Sequence, residues 1–497
     1  MSRIPVLTPQ ELRAVETRAA GWSPSLMERA GRATAMTARL LAKDTGEPVL
    51  VVAGPGNNGG DAWVAAAHLR ESFHRVVVLD AGGGTPKAAE ARAAKSEFTA
   101  RGGEIVREWP DALAPALVID GLLGIGLVRE VAPPFSGLIE RMNASYAPIL
   151  AIDVPSGLDA HTGIVRGVAV RATRTLTFLS HKAGLHTGDG LDHCGIVELD
   201  DLGAPDEALV EASGSLLTPA TVRGWLRPRR RNAHKGDFGT LAIVGGNRGM
   251  VGAALLAARA GLFCGAGKVV VGLLSPEAPA VDPMHPELML RPVDDALGAD
   301  VLVVGPGAGR SPSASSMSAF ERATLPATLA LAKPLVLDAD ALNAIAFNES
   351  LQRMLSARKS PTLLTPHPAE AARLLGKGTA DIQADRPASA LALAQRYRAG
   401  VVLKGAGSIC AFPDGRWSVN ATGNAGLASG GTGDVLAGMA GALLAQGIAP
   451  EQALQLAVCL HGAAADAAAG EGRGPIGLTA SEVTLEARRL MNAWVAR

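Results

Sequence analysis

The chain has 497 residues, a length that predicts two or three domains and excludes a single small core. Hydrophobic residues make up 48% and charged residues 19%, which excludes global disorder. The 47 basic residues balance the 47 acidic ones, so the overall charge predicts neither a nucleic-acid nor a membrane partner.

Short apolar runs bounded by Gly, Pro or Asp predict a parallel β-sheet in the first half. Ala-rich helical stretches separate these runs, and this alternation is typical of α/β architecture. The predicted strands are PVLVVAG (48–54), RVVVLD (75–80), ALVID (116–120), ILAIDVP (149–155) and TLTF (175–178). After GIVELD (195–200) the chain turns acidic and then basic, which predicts a boundary near 205–225 and domains over 1–210 and 220–497.

The second half repeats this pattern and predicts a second parallel sheet. Its strands are TLAIVGG (240–246), KVVVGLL (268–274), DVLVVGPG (300–307), PLVLDAD (334–340), PTLLTP (361–366) and GVVLKG (400–405), and SICAFPDGRWSVN (408–420) predicts an added hairpin. The strands end in Gly, Asp or Thr-Pro. Open α/β sheets bind ligands at these carboxyl ends.

The Gly-rich run GPGNNGGD (54–61) lies between a predicted strand and a predicted helix. Its backbone N–H groups can face an anion at the helix start. Asn57, Asn58 and Asp61 add oxygen atoms of the kind that hard cations need. The alternative, which the run alone does not exclude, is a simple Gly-rich turn that tolerates positive φ.

Two later strand ends, DGLLGIGLVRE (120–130) and DVPSGLDAHTG (153–163), also carry carboxylates and small residues. We expect the three loops to converge, so that Asn58, Asp120 and Ser156 share one cation. The residues expected to face phosphates are Gly124, Gly126 and Arg129. The alternative is that Asp120 and Asp153 only cap the turns that follow them.

Together, GPGNNGGD, DGLLGIG and DVPSGLDAHTG resemble the NAD(P)H-hydrate epimerase domain, also called the YjeF N-terminal domain, over residues 10–205. The resemblance implies a Rossmann-like three-layer fold, interconversion of the two epimers of hydrated NADH or NADPH, and a potassium ion. It implies potassium ligands at Asn58, Asp120 and Ser156. The implied substrate contacts are Asn57, Asn58, Gly59, Gly60, Asp61, Gly124, Ile125, Gly126, Leu127, Val128, Arg129, Glu130 and Asp153. The family usually has Arg-Pro where this chain has Arg129-Glu130.

Epimerisation needs the hydroxyl-bearing ring carbon to be scrambled, by reversible loss of oxygen or by ring opening. A carboxylate that shuttles a proton is sufficient for either route, and Asp153 is the candidate. Lys182 could supply positive charge nearby. The alternative for Lys182 is an ordinary solvated surface lysine.

The run NATGNAGLASGGTGDVLAGMAGALLAQG (420–447) is the sharpest signal in the chain. Gly430, Gly431 and Gly433 expose backbone donors, and Asp434 stands at a helix start. Phosphoryl transfer needs donors for the transferred group and a base for the attacking hydroxyl. The alternative is that Asp434 is only an N-cap.

This pattern resembles the ribokinase-like superfamily. With AHKGDFGTLAIVGGNRGMVGAALLAARAGLFCGAGKVVV (233–271), HPELM (285–289), GPGAG (305–309), VLDADALN (336–343), LLTPHPAEAARLL (363–375) and VVLKGAGS (401–408), it resembles ADP-dependent NAD(P)H-hydrate dehydratase over residues 220–495. The resemblance implies a ribokinase-like parallel-sheet domain that uses ADP as co-substrate. The implied nucleotide contacts are Lys404, Gly405, Ala406, Gly407, Ser408 and Gly433, and the implied hydrate contacts are Ala253, Gly307, His367 and Asp434.

The implied reaction phosphorylates the hydrate from ADP with Asp434 as base, then eliminates phosphate, leaving NAD(P)H and AMP. Asp338 and Asp340 could organise Mg²⁺ through water, although ordinary turn carboxylates are the alternative. Lys404 could likewise be a solvated charge, but its Gly-rich sequel favours a phosphate role. A homo-oligomer is expected.

Two rival interpretations remain open at this point. One is a ribokinase-like vitamin or sugar kinase that keeps the phosphate on its product. The other is a first half that serves as a non-catalytic binding module. HPELM and TPHPAE argue against the first rival, and the intact Asn58, Asp120, Asp153 and Ser156 argue against the second.

The cysteines and hydropathy favour a reducing cytoplasm. The cysteines are far apart and form no CxxC pair, so neither zinc nor disulfides are predicted: Cys194, Cys264, Cys410 and Cys459. The first twenty residues lack an apolar signal core, and charges at Arg259 and Lys268 interrupt the Ala-rich run 250–274. No membrane span is expected.

Overall fold

A computed structural model describes residues 3–43, 46–86, 88–204, 211–309 and 317–495. The chain divides into two units between Gly214 and Ser215, and the carboxyl-terminal unit also includes Arg3 and Ile4. We call them the first unit (from Pro5 to Gly214) and the second unit (from Ser215 onwards).

The strands in the first part of the chain are β1 (Ile4–Val6), β2 (Val49–Ala53), β3 (Val76–Asp80), β4 (Glu104–Val106), β5 (Leu117–Gly121), β6 (Ile149–Ile152), β7 (Arg174–Phe178) and β8 (Ile196–Asp200). The helices are α1 (Pro9–Ala19), α2 (Leu26–Leu41), α3 (Asn57–Glu71), α4 (Ala89–Ala100), α5 (Phe135–Ala144) and α6 (Gly190–His193). Each of the five strands predicted from apolar runs is present.

Seven of these strands form a parallel sheet in the order β4-β3-β2-β5-β6-β7-β8. Alternate residues of β2 enter different cores: Val49, Val51 and Ala53 pack on one face, and Leu50 and Val52 on the other. The sheet is therefore the middle of three layers, as expected for a Rossmann-like domain. The strand order reverses between β2 and β5, and ligands of open α/β sheets bind at such a point.

The strands of the second unit are β9 (Gly214–Leu217), β10 (Thr240–Gly245), β11 (Lys268–Leu273), β12 (Met289–Arg291), β13 (Val301–Val304), β14 (Leu335–Leu337), β15 (Thr362–Leu364), β16 (Gly400–Leu403), β17 (Ile409–Ala411) and β18 (Trp417–Asn420). The helices are α7 (Pro219–Val222), α8 (Val251–Phe263), α9 (Val293–Ala296), α10 (Leu325–Ala330), α11 (Asp340–Ala346), α12 (Glu349–Ser356), α13 (Pro368–Leu375), α14 (Thr379–Ala384), α15 (Arg386–Tyr397), α16 (Thr432–Ala445), α17 (Pro450–Gly470) and α18 (Ala480–Val495).

The larger sheet has the order β1-β9-β18-β17-β16-β15-β14-β13-β10-β11-β12. The strands from β10 to β16 pair in parallel, whereas β17 and β18 form an antiparallel hairpin, as predicted. The order reverses between β10 and β13. The glycine-rich ends of these two strands therefore mark a second ligand-binding edge.

Helices α8, α16 and α17 pack on this sheet largely through alanine and leucine side chains. The small alanine residues bring the helices close to the strands and explain how a chain with 3% aromatic residues fills a large core. Within the described residues, no helix is both long and apolar enough to cross a lipid bilayer.

Candidate functional sites

The glycine-rich turn of the first unit lies at the reversal point of its sheet. It follows β2, and helix α3 begins at Asn57 with Gly56 as its N-cap. Asn58 is buried in the first turn of this helix. Its Nδ2 donates to the carbonyl oxygen of Leu123, 2.9 Å away in the loop that follows β5.

Asp120, at the end of β5, is fully buried and binds the loop that follows β6. The Ser156 backbone N–H donates to Asp120 Oδ2 at 2.8 Å, and the Ser156 hydroxyl donates to Oδ1 at 2.6 Å. The Leu123 N–H in turn donates to Ser156 Oγ at 2.7 Å. Three loops predicted to converge are thus joined through Asn58, Leu123, Ser156 and Asp120.

The Asp120 carboxyl lies in a setting that suits a monovalent cation. Burial raises its pKa to about 6, although hydrogen bonds from Ser156 and Leu122 oppose this shift. The described residues give it no basic partner. The neighbouring donors are amide, hydroxyl and carbonyl oxygens, which fit a hard cation such as potassium. The described parts of the chain contain no group of three or more His, Cys, Asp or Glu able to hold a metal.

The turn-cap interpretation of Asp120 is correct in part, because its Oδ1 accepts the Leu122 N–H at 3.2 Å. Asp153 is different. It adopts a left-handed backbone conformation with φ of 61°. Its Oδ1 accepts from the Thr177 hydroxyl and the Phe178 N–H, each at 3.1 Å, and not from the turn that follows it.

Lys182 is not a solvated surface lysine. It is 4% exposed and forms an ion pair with Asp153 Oδ1. Its Nζ also donates to Thr177 Oγ1 at 2.8 Å and to the Phe178 carbonyl at 2.9 Å. The solvated-lysine alternative is therefore wrong, because the ammonium is buried by its contacts with Asp153 and the end of β7.

Asp61 is a second carboxyl group close to this ion pair. Burial raises its pKa well above the usual range, and the negative charges of Asp153, Glu16 and Glu90 raise it further. Burial and Asp153 also raise the pKa of Glu16. The first unit thus combines an ion-paired carboxylate, Asp153, with a nearby carboxyl group whose pKa is raised, Asp61.

The other predicted epimerase contacts differ in exposure. Asn57 is exposed at the start of α3, whereas Gly59 and Gly60 are buried in its first turn. The loop after β5 is mostly accessible, with Val128 84% exposed. This loop contains Gly124, Ile125, Gly126, Leu127, Val128, Arg129 and Glu130, so it forms an open wall beside the Asp120 network.

In the second unit, the turn from Gly430 to Asp434 leads into α16. The N-cap of that helix is Gly431, with φ of 88° and no side-chain capping bond. The N-cap alternative for Asp434 is therefore wrong. Burial raises the Asp434 pKa to about 7, and the charges of Asp338 and Asp340 contribute to the rise.

Lys404 and Asp338 form a buried ion pair beside this turn. Lys404 Nζ lies 2.8 Å from Asp338 Oδ1, and the Thr365 hydroxyl donates to the same oxygen at 2.7 Å. Asp338 is 1% exposed. It is therefore not an ordinary turn carboxylate, and Lys404 is not a solvated charge. A β-carbon at Gly433 would lie 3.2 Å from Lys404 Nζ, so the ammonium adjoins the glycine-rich turn.

The residues from Lys404 to Ser408 connect β16 to β17. Arg386, at the start of α15, is 2% exposed and supports this loop from inside. Its Nη2 donates to the carbonyls of Leu403 and Lys404 at 3.3 Å, and to that of Gly407 at 3.5 Å. Gly405 and Ala406 remain exposed. The buried arginine thus leaves the outer side of the loop accessible to a ligand.

His367 is the N-cap of α13. Its Nδ1 accepts the backbone N–H groups of Ala369 at 3.1 Å and Glu370 at 3.4 Å. Its Nε2 lies 3.3 Å from Glu370 Oε1, and Glu370 Oε2 accepts the His367 N–H at 2.8 Å. Burial lowers the His367 pKa and raises that of Glu370 to about 7.

Gly307 and Ala253 lie together at the reversal point of the second sheet. Gly307 has φ of 59°, and a β-carbon there would lie 2.5 Å from the Met250 carbonyl and 3.0 Å from Ala253 Cβ. Only glycine allows this approach. Asp340 Oδ2 accepts the Gly309 N–H at 2.9 Å, so Asp340 ties the GPGAG loop to the end of β14.

A cleft of about 360 Å³ adjoins the turn at Gly430. Its walls come from residues 425–430 and 475–480, including Ala425, Ser429, Pro475 and Leu478. The cleft therefore opens next to the backbone donors of the turn.

Sequence reasoning missed two buried charged groups. Arg386 and Glu370 occupy helix starts, where a charged residue is unremarkable in a sequence. Glu370 had one detectable signal: it stands three residues after His367, at the spacing of a capping box. Arg386 had none, since the loop carbonyls that it supports lie 17 to 21 residues further along the chain.

Comparison with known proteins agrees with both halves. A family model described as NAD(P)H-hydrate dehydratase matches residues 241–485, and one described as YjeF-related protein N-terminus matches residues 23–184. The bifunctional NAD(P)H-hydrate repair enzyme Nnr of Escherichia coli (strain K12) is 38% identical over 479 residues, covering 94% of this chain and 89% of that protein. The enzyme of the same name from Coxiella burnetii is 37% identical over 477 residues, covering 94% of each chain.

Among solved structures, the ADP/ATP-dependent NAD(P)H-hydrate dehydratase of Bacillus subtilis, co-crystallised with ATP and Mg²⁺, is 31% identical. The match covers 56% of this chain and 97% of that one, with a TM-score of 0.48. With whole-length relatives above 35% identity and both domain families in the same order, the chain belongs to the bifunctional NAD(P)H-hydrate repair enzymes.

Proposed function

We propose that the first unit interconverts the R and S epimers of hydrated NADH or NADPH, and that the second unit dehydrates the S epimer with ADP. The observation that carries the proposal is the pair of carboxyl groups suited to proton transfer, one in each unit. In the first unit Asp153 is ion-paired near Asp61, whose pKa is raised well above its usual range, and in the second unit Asp434 has a pKa of about 7 beside a glycine-rich turn.

In the first unit, Asp153 and Asp61 would exchange a proton with the hydroxyl-bearing ring or its opened form. Lys182 orients the Asp153 carboxylate through their ion pair. Asn58, Asp120 and Ser156 would hold potassium, which when bound would supply positive charge next to the substrate phosphates. The accessible loop from Gly124 to Glu130 would contact the rest of the dinucleotide.

In the second unit, Asp434 would take the proton of the ring hydroxyl while the hydroxyl oxygen attacks the β-phosphorus of ADP. The bond from that phosphorus to the AMP oxygen breaks, and the N–H groups from Gly430 to Gly433 stabilise the charge that develops. The ring nitrogen then expels phosphate while the neighbouring ring carbon loses a proton. NAD(P)H, AMP and phosphate result.

The loop from Lys404 to Ser408 would hold the nucleotide, and Ala253, Gly307 and His367 would contact the hydrate. Mg²⁺ would shield the phosphate charge. Asp338 and Asp340 would reach it through water, since both place negative charge near Asp434. The choice of ADP over ATP rests on the family resemblance.

A coupled absorbance assay tests both halves. The chain is given mixed hydrate epimers with ADP, and recovery of the dihydronicotinamide signal is followed to completion. We expect complete recovery from the unmodified chain, recovery of only the S fraction from Asp153→Asn, and recovery at least ~10²-fold slower from Asp434→Asn. A phosphorylated product that accumulates without recovery would indicate a kinase instead. Complete recovery by Asp153→Asn would remove that residue from the epimerase mechanism.

A further inference from the structure

An ion pair at the end of β3 lies beside the glycine-rich turn but belongs to none of the groups described above. In the parallel register Asp80 is opposite Ala53, the last residue of β2. The Ala81 N–H donates to the Ala53 carbonyl at 3.0 Å. A β-carbon at Gly82 would lie 3.2 Å from the Pro55 Cα. The loop after β3 is therefore packed against the turn that precedes α3.

Asp80 has one oxygen engaged and one available. Its Oδ2 accepts from Lys95 Nζ at 2.6 Å. The described residues supply no hydrogen bond to Oδ1. Residues 82–85 are exposed beside it. Asp80 is 8% exposed, and the described residues leave its Oδ1 without a hydrogen-bond donor, so a hydroxyl group that reaches the end of this loop would meet a carboxylate oxygen able to accept.

Lys95, on α4, is fixed by several contacts. Besides Asp80, its Nζ donates to the Gly84 carbonyl at 2.8 Å and lies 5.2 Å from the centre of the Trp63 ring. The Lys95 side chain is 22% exposed to solvent. The ammonium is thus held at the surface of the same loop, next to the Asp80 carboxylate.

In Rossmann domains that bind dinucleotides, the residue that recognises the adenosine ribose lies about 20 residues beyond the glycine-rich turn. An acidic residue there accepts from the ribose 2′-hydroxyl, and a basic residue accommodates a 2′-phosphate. This chain has both at one place. We propose that Asp80 and Lys95 together read the 2′ position of the hydrated dinucleotide, Asp80 binding the hydroxyl of NADH hydrate and Lys95 the phosphate of NADPH hydrate.

The inference rests on the proposed epimerase function and names its specificity determinants. A purely structural ion pair would only tie the loop after β3 to α4. The two roles differ in their consequences, because a structural pair affects both hydrates equally. If the pair instead recognises the 2′ position, changing Asp80 and changing Lys95 should shift the preference between NADH hydrate and NADPH hydrate in opposite directions.

The test measures kcat/KM for epimerisation of each hydrate in the full chain without ADP, so that dehydration does not interfere. Asp80→Asn should raise the ratio of NADPH hydrate to NADH hydrate ~10-fold, because a repelling charge is lost. Lys95→Gln should lower the ratio ~10-fold, because the phosphate loses its counter-charge. The control is Glu97→Gln, which removes an exposed carboxylate elsewhere on α4 and should leave the ratio unchanged.

An unchanged ratio in both variants, with epimerisation intact, would overturn the inference and leave the proposed function standing. Failure of the unmodified chain to epimerise either hydrate would overturn both. If a variant does not fold, a measurement on the unmodified chain still tests the inference. Adenosine 2′,5′-bisphosphate should slow chemical acetylation of Lys95 more than 5′-AMP does, and equal rates with both nucleotides would overturn the inference.

Discussion

Replacing Asp434 with asparagine should lower the rate of dehydration while it raises the stability of the fold at alkaline pH. The side chain keeps nearly the same size but loses its ability to accept a proton. We expect dehydration with ADP to fall at least ~10²-fold, the scale of a general base. In the unmodified chain the rate should rise as the pH passes about 7, where Asp434 loses its proton, and the residual rate of the variant should lack this rise.

The same substitution should stabilise the second unit at alkaline pH. The pKa of Asp434 moves from 3.8 to about 7 on folding, mainly through burial. Below pH 3.8 both states are protonated. Between pH 3.8 and about 7 only the folded state keeps the proton, so the free energy of unfolding falls as the pH rises. The full cost of ionising the buried carboxyl is present above pH 7. At ~1.4 kcal/mol per pKa unit the cost reaches ~4 kcal/mol, an upper limit that asparagine avoids.

The assay combines initial rates of dihydronicotinamide recovery with thermal unfolding on either side of pH 7. Asp434→Asn should unfold at a higher temperature than the unmodified chain at alkaline pH and at a similar temperature near pH 4. Asp414→Asn is a matched control, because Asp414 is an exposed carboxylate of the β17–β18 hairpin. Unchanged turnover, or a rate in the variant that still rises through pH 7, would refute the role of Asp434.

Three further predictions concern the cation, the nucleotide and the buried lysine. Asp120→Ala should slow epimer interconversion and abolish its response to potassium while sparing dehydration of the S epimer; normal potassium-dependent epimerisation would make Asp120 a structural cap. Dehydration should be faster with ADP than with ATP at equal concentration, and a reaction sustained by ATP alone would make the ADP assignment wrong. Lys182→Met should leave the Asp153 carboxylate without its buried counter-charge. We expect this to lower the free energy of unfolding of the first unit by ~3 kcal/mol in urea titrations and to slow epimerisation, and unchanged epimerisation would exclude Lys182 from the site.

The strand ends of both sheets could be predicted because their apolar runs are long and end at clear turn residues. Parallel strands place their carboxyl ends at one edge, so the approach of Asp120, Ser156 and Asn58 followed from topology alone. The strands missing from the predicted list are β1, β4, β8, β9 and β12. All of them except β8 have only three or four residues, too few to show a period.

The partners of buried charges could not be predicted. Lys182 lies 29 residues from Asp153, and Lys404 lies 66 residues from Asp338. Nothing in a single sequence indicates which lysine becomes buried, because burial depends on how the intervening helices pack. The residue type was visible in each case, but its environment was not. This is why two lysines for which a solvated role was considered are instead parts of ion pairs.

The pairing of Lys404 with Asp338 has a consequence for how the nucleotide is recognised. An ammonium group has three N–H bonds at tetrahedral angles, and one is directed to Asp338 at 2.8 Å. The remaining two have their directions set by the fold before any phosphate arrives. Binding therefore does not have to freeze a flexible four-carbon chain, and the entropy of that ordering is lost during folding instead. Arginine, with its planar fork, would not reproduce these directions.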